Sequence, residues 1–300
     1  MPELGQILVA TDYSDCSRAA LQQAAGVAGA VGARLHVVHV IESLSDGLML
    51  DAYESPAEHR AFEEALLSTS RQLMGESLKE IGLATADVIT EHLTSHSVVD
   101  ALLDYVARLG VDLLVVGTHG RRGIRRLLLG SVARAVVASA DTPVLIARDV
   151  GRGRDDLPYK RVMVPVDLSP NSVRGLSAGR QLAALFQAQL DVVHVLERYV
   201  FPVSLSKIKT ARDLVPDIES KVRSSIQGHL EKLEGPYVPY TIHVREGDPA
   251  SCIIDMAQES ACDLIVMTRR GLSASERFVV GSVTQKVSQA AHCSVYVEPE

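Results

Sequence analysis

A glycine pattern that closes one apolar strand returns, altered, in the second half of the chain. Val115-Val116-Gly117-Thr118-His119-Gly120 is followed, nine residues later, by Gly130-Ser131. Val266-Met267-Thr268-Arg269-Arg270-Gly271 is followed, again nine residues later, by Gly281-Ser282. Equal spacing in two places marks a duplicated unit that keeps one loop geometry twice. Glycine where a strand ends, and Gly-Ser where a helix begins, are what a backbone needs to wrap a phosphate.

The rest of the chain repeats in the same order. Ile7-Leu8-Val9-Ala10-Thr11-Asp12 is an apolar run ending in a carboxylate, and Arg161 to Asp167 repeats it 155 residues on. Val37-Val38-His39-Val40 recurs at that offset as Val192-Val193-His194-Val195, and the offset slips to 151 at the glycine loop. After Asp12, Ser14 or Asp15 caps an Ala-rich helix to about Gly32. Leu35–Ile41 reads as a buried strand and Pro56–Ile81 as a helix, with proline near its start. A short strand is expected at 87–91, a helix at 98–109, a strand at 112–116, a helix at 132–139 and a last strand at 143–147.

Strands that are apolar throughout, alternating with helices, predict an α/β fold: parallel sheets with helices on both faces. Each half is expected to be a doubly wound five-stranded sheet of order 3-2-1-4-5. In that order Asp12 and Gly117 meet at the crevice where the winding reverses. The domains are expected at 1–149 and 160–300, with a polar, Gly-bearing linker at 150–159.

Composition narrows the function. Net charge is −7, aromatic content 4%, and Trp is absent. That argues against nucleic acid, anionic membranes and base-stacking platforms as partners. No signal peptide or membrane span is expected, so the reading is a cytoplasmic protein. Cys16, Cys252, Cys262 and Cys293 contain no CxxC and read as small buried hydrophobes.

Gly117 and Gly120 would let the loop backbone approach a ligand, and Gly130 and Ser131 would offer amides and a hydroxyl to phosphates. Arg121, Arg122, Arg125 and Arg126 crowd positive charge into the same loop. The bland alternative is that the glycines serve tight turns and Asp12 caps a helix. Gly26-x2-Gly29-x2-Gly32 is read as close helix–sheet packing. His92 and His96 have a zinc spacing but no third ligand. His39 and His194 read as core histidines, and no P-loop lysine, nucleophile elbow or zinc-hydrolase motif occurs.

The run Gly117-x2-Gly120-x9-Gly130-Ser131, with Asp12 ending strand 1 and Val40 in strand 2, resembles the ATP-binding universal stress proteins. The resemblance covers nearly the whole chain twice, as in tandem members. It implies that Asp12 and Val40 take the adenine, and that Gly117, Gly120 and Arg121 lie on the ribose and phosphate side. Gly130, Ser131 and Val132 would close around the phosphates. The cofactor implied is ATP, with or without Mg2+, held as a regulatory ligand by at most a weak ATPase. In the second copy Pro165, Asp167, Val195, Gly271, Gly281 and Ser282 match, while Thr268 replaces the first glycine. Thr268 could crowd a ribose or point elsewhere, and Arg269 and Arg270 partly offset the missing loop arginines. The runner-up readings are a nucleotide hydrolase or transferase, and a dimerisation scaffold with a degenerate second site. The terminal strands 143–147 and 294–298 resemble the edges through which such domains pair, within the chain or as a homodimer. ATP is expected to order the Arg121–Arg126 loop and the segments Ser43–Ser55 and Arg198–Pro216.

Overall fold

The computed structural model describes residues 4–42, 56–118, 129–149, 159–197, 215–271 and 280–299. The chain divides into two compact units. One comprises residues 2–136 and 146–156, the other 157–300 together with 137–145 and Met1.

In the first half of the chain, whose residues 137–145 group with the second unit, the strands are β1 (Gln6–Ala10), β2 (Arg34–Glu42), β3 (Ile89–Ser95), β4 (Leu113–Gly117) and β5 (Val144–Ala147). The helices are α1 (Asp15–Val31), α2 (Pro56–Glu80), α3 (Val98–Leu109) and α4 (Ser131–Ser139). The strand order is β3-β2-β1-β4-β5. β1 runs parallel to β2, with Ala10 opposite Val38, and parallel to β4, with Val9 opposite Val115. The second unit has β6 (Arg161–Pro165), α5 (Pro170–Leu185), β7 (Gln189–Glu197), α6 (Ile218–Lys232) and β8 (Tyr240–Gly247). It continues with α7 (Pro249–Glu259), β9 (Leu264–Thr268), α8 (Ser282–Ala290) and β10 (Ser294–Glu298). Its order, β8-β7-β6-β9-β10, is the same 3-2-1-4-5. The doubly wound reading therefore holds in both halves.

Local chemistry explains the elements. Ile7, Leu8 and Val9 in β1, and Val162, Met163 and Val164 in β6, are fully buried, as central strands covered on both faces require. Ser14 caps α1 by accepting from Ser17 N at 3.3 Å, and Ser169 caps α5 by accepting from Ser172 N at 3.1 Å. Pro170 and Pro249 open α5 and α7, where a missing N–H is harmless. Gly32 and Gly110 end α1 and α3 in the left-handed region.

Two expectations need correction. The Gly26–Gly29–Gly32 run does not serve helix–sheet packing through Gly29 or Gly32: a Cβ on Gly29 would meet open space, and Gly32 is the left-handed cap. Buried Ala20, Leu21, Ala24 and Ala28 make that contact instead. The third strand meets the expected 87–91 only at 89–91 and runs on to Ser95. Thr85–Asp87 is a 3-10 turn, and β3 runs to Ser95 because it pairs with β2 along His36–Glu42. Polar residues such as His92 and Thr94 hide this strand, which lies at the end of the strand order with no residue fully buried.

His36 ties β1, β2 and α3 together. Gln6 donates its side-chain amide to Leu109 O at 2.7 Å, so its Oε1 faces His36 Nε2 at 3.1 Å. Nε2 therefore carries the proton, and Nδ1 accepts from the Tyr105 hydroxyl at 3.1 Å. Burial lowers the His36 pKa, with Arg34 adding to the effect and Glu91 opposing it. A lowered folded pKa gives stability that is complete above the unfolded value of about 6.5 and lost as pH falls below it. Thermal melts between pH 7.5 and 5.5 should show this loss, and His36→Gln should flatten that part of the profile. An unchanged slope in the variant would remove His36 as its source.

Candidate functional site

The chain leaves β1 through Thr11, whose amide bonds Val38 O at 2.9 Å, and leaves β6 through Val166, whose amide bonds Val193 O at 2.8 Å. Asp12 follows, and its Oδ1 accepts from Ser14 N at 3.1 Å and Ser14 Oγ at 2.6 Å. Asp167 Oδ1 accepts from Ser169 N at 3.0 Å. Between aspartate and cap stands a non-glycine residue in the left-handed region, Tyr13 at φ 64° and Leu168 at φ 63°. Such a conformation persists only where its surroundings enforce it, and both copies enforce it. His39 and His194 help: Nδ1–H donates to Thr11 O at 2.7 Å and to Val166 O at 2.8 Å respectively. A carbonyl can only accept, so both Nδ1 atoms carry hydrogen. Sequence reading placed these histidines in the core; both are half-buried and fasten the turn that presents the aspartate.

Gly117 ends β4 beside this turn. A Cβ on it would stand 2.8 Å from Cys16 O and 3.1 Å from Ser17 N, in the first turn of α1. The glycine is therefore needed for helix packing. Thr268 solves the same place differently. Its Oγ1 donates to Arg270 O at 2.8 Å, and its methyl lies 3.1 Å from where a Cβ on Gly175 of α5 would be. Gly175 stands where the first copy has the buried Ala20. The threonine points into the helix contact, so a side chain crowding a ribose is not its effect.

The equal loop length has a backbone counterpart. Gly130 N donates to Thr118 O at 2.7 Å, and Gly281 N donates to Arg269 O at 2.9 Å. Each bond closes the base of the loop that carries the chain from strand to helix. Arg134 N and Gln285 N then return to Gly130 O and Gly281 O as the first helical bonds. The helices' own ladders leave the amides just after each glycine, at Ser131 to Ala133 and at Ser282 to Thr284, for other acceptors. Ser131 is exposed and Val132 half-buried.

In the second unit the aspartate and the glycine loop touch. A Cβ on Gly271 would collide with Asp167 Oδ2, so a side chain there would have to displace the carboxylate. Gly120 and Arg121, with Arg122, Arg125, Arg126 and residues 272–277, lie outside the described residues. The same holds for segment 43–55 and for all but the end of 198–216. Val40 is buried near the end of β2 and pairs with Leu93, and Val195 takes the same place in β7 opposite Arg245. Pro165 ends β6 opposite Val193. Arg269 is 6% exposed, and its guanidinium donates to Ala138 O and Ala140 O at 3.1 and 3.0 Å, within the second unit. Sequence reading also missed Asp112 and Asp263, which clamp the starts of the strand pairs and match at the 151-residue offset.

A model of the universal stress protein family matches residues 3–148 and again 158–299. The chain is 30% identical over 145 residues to universal stress protein YxiE of Bacillus subtilis (strain 168), covering 46% of this chain and 98% of that protein. It is 25% identical over 304 residues to a universal stress protein of Mycolicibacterium smegmatis, covering 97% and 96% of the two chains. Among solved structures, a universal stress protein from Archaeoglobus fulgidus DSM 4304 matches with TM-score 0.64 at 21% identity, over 99% of this chain and 98% of that one. At that identity the structural likeness speaks for the fold.

Proposed function

The chain belongs to the universal stress protein family, and from that premise we propose that it binds ATP at the ends of β1 and β4 as a regulatory ligand. Hydrolysis is slow or absent. One observation carries this reading: in each copy a strand-end aspartate, held by its own turn, sits beside a loop whose base is closed onto a helix N-terminus. A carboxylate suits a base amino group or a sugar hydroxyl, and helix N-terminal amides suit phosphates.

In this reading Asp12 and Val40 hold the adenine, while Gly120 and Arg121 lie along ribose and phosphates. Gly130, Ser131 and Val132 close around the phosphates, and Mg2+ accompanies them when present. The chemistry of the donors fits the group, since exposed Ser131 stands at an open helix start. Gly117 contributes by letting α1 approach, which sets where Asp12 stands. The second copy offers Asp167, Val195, Gly271, Gly281 and Ser282 for the same ligand, with Pro165 ending the preceding strand. It is the weaker site on loop charge alone, since residues 272–277 carry Glu276 and a single arginine. Loss of about 1.4 kcal/mol of phosphate attraction would make it about tenfold weaker.

The test is to denature freshly purified protein and identify the released nucleotide by mass spectrometry, with its ratio to chain. One ATP per chain is expected, absent from Asp12→Ala and retained in Asp167→Ala. A protein that is empty and also refuses added ATP in calorimetry overturns the reading. ADP or AMP alone would replace a regulatory ligand with turnover.

A further inference from the structure

The second helices of the two halves match at an offset of 152. Ser70, Met74 and Leu78 of α2 are buried, and so are Val222, Ile226 and Leu230 of α6. Arg71 and Arg223 then hold one place. Arg223 is used by its own unit, since its guanidinium donates to Ile242 O at 2.5 Å and pairs with Glu219 at 3.0 Å. Arg71 has Leu67 where that glutamate stands, and it forms no ion pair or hydrogen bond with another described residue. The strand side differs too. Thr90 and His92 of β3 lie opposite Val37 and His39, while Ile242 and Val244 of β8 lie opposite Val192 and His194. Apolar residues therefore suffice for this face in the second unit.

Between α2 and β3 lies an open cavity of about 400 Å³, with Leu67, Arg71, Met74 and Gly75 on the helix side and Thr90 and His92 on the strand side. Glu91 also borders it, but alternation along the strand turns its side chain to the other face, where its charge acts on His36 and Tyr105. His92 Nε2 is buried with no hydrogen-bond partner among the described residues, a state that folded proteins rarely leave unanswered. Gly75 stands inside α2, where only proline is a worse helix former. A Cβ on it would meet nothing within 4 Å, so packing does not demand the glycine, and its bareness keeps the cavity wide.

We propose that this cavity is a second ligand site, which takes a small carboxylate with an apolar tail. The guanidinium of Arg71, the hydroxyl of Thr90 and the imidazole of His92 are all able to donate, so they suit a head group that only accepts. A single guanidinium matches one carboxylate in charge and in its paired oxygens. Leu67 and Met74 cover the tail. None of this rests on the nucleotide reading.

The experiment titrates the full-length chain with benzoate and with hexanoate, followed by NMR of the ligand. At least one is expected to bind saturably, with a Kd of about 1 mM. Benzamide, isosteric with benzoate but uncharged, should bind at least tenfold more weakly, and Arg71→Gln should weaken the acids by about tenfold or more. Gly75→Leu fills the cavity from an open helix position, so it should abolish binding without lowering the melting temperature. Arg223→Gln should change nothing. The proposal is overturned if neither acid saturates, if affinity survives both Arg71→Gln and Gly75→Leu, if inorganic phosphate binds more tightly, or if ATP competes for the same site.

Discussion

Asp263→Ala is expected to destabilise the second unit by about 3 kcal/mol, measured as a lower midpoint in urea unfolding. The carboxylate is 4% exposed and accepts from Lys160 N at 2.9 Å and Arg161 N at 3.0 Å. Its own amide bonds Arg161 O at 3.2 Å, so one residue pins the start of β6 to the start of β9. A hydrogen bond to a charged group contributes about 1.5–3 kcal/mol, and two are lost together. The half-buried setting of Arg161 lets water recover part of this, which keeps the figure near the lower end. Asp112 makes the matching bonds, to Gly5 N at 2.8 Å and Gln6 N at 2.9 Å, where the chain is more exposed. Asp112→Ala should therefore cost less than Asp263→Ala. Equal costs would mean that burial is not what separates the two clamps.

Gly117→Ala is expected to destabilise the first unit by about 1–3 kcal/mol and to weaken nucleotide binding with it. The added methyl would meet backbone, Cys16 O at 2.8 Å and the Cys16 carbonyl carbon at 2.9 Å, and backbone cannot rotate aside as a side chain can. The first turn of α1 would have to lift, carrying the Asp12–Ser14 turn away from the loop. Gly175→Ala, the reciprocal change in the second unit, should be milder. Its new methyl would meet the Thr268 methyl at 3.1 Å, the far end of a side chain. An alanine at 117 that left both stability and binding intact would show that α1 does not set the position of Asp12.

Much of the fold was legible because its signals are periodic. Buried strands such as β1 and β6 are continuous apolar runs, and the second copy checks each assignment in the first. β3 was misplaced because a half-buried strand at the end of the order, with His92 and Thr94 in it, lacks that signal. In the candidate site, residue types and spacing could be read, but the cause of each glycine could not. Gly117 answers to a helix, Gly271 to a carboxylate, and Gly130 and Gly281 to loop closure through amides that any residue but proline could supply. Thr268 looked like damage to a ligand contact because its compensating partner, Gly175, lies far off in the sequence. The sequence showed the charge of Arg269 but not its carbonyl acceptors, Ala138 O and Ala140 O.

The Gly130–Thr118 and Gly281–Arg269 bonds also separate what must stay constant from what can vary. A loop stapled at its base ties the end of the strand to the start of the helix in both units. Residues 119–129 and 270–280 are spans of equal length between matching bonds, and the sequence differs most in charge there, with four arginines in the first. Duplication thus kept one closure at both loops while the residues between were free to diverge in charge.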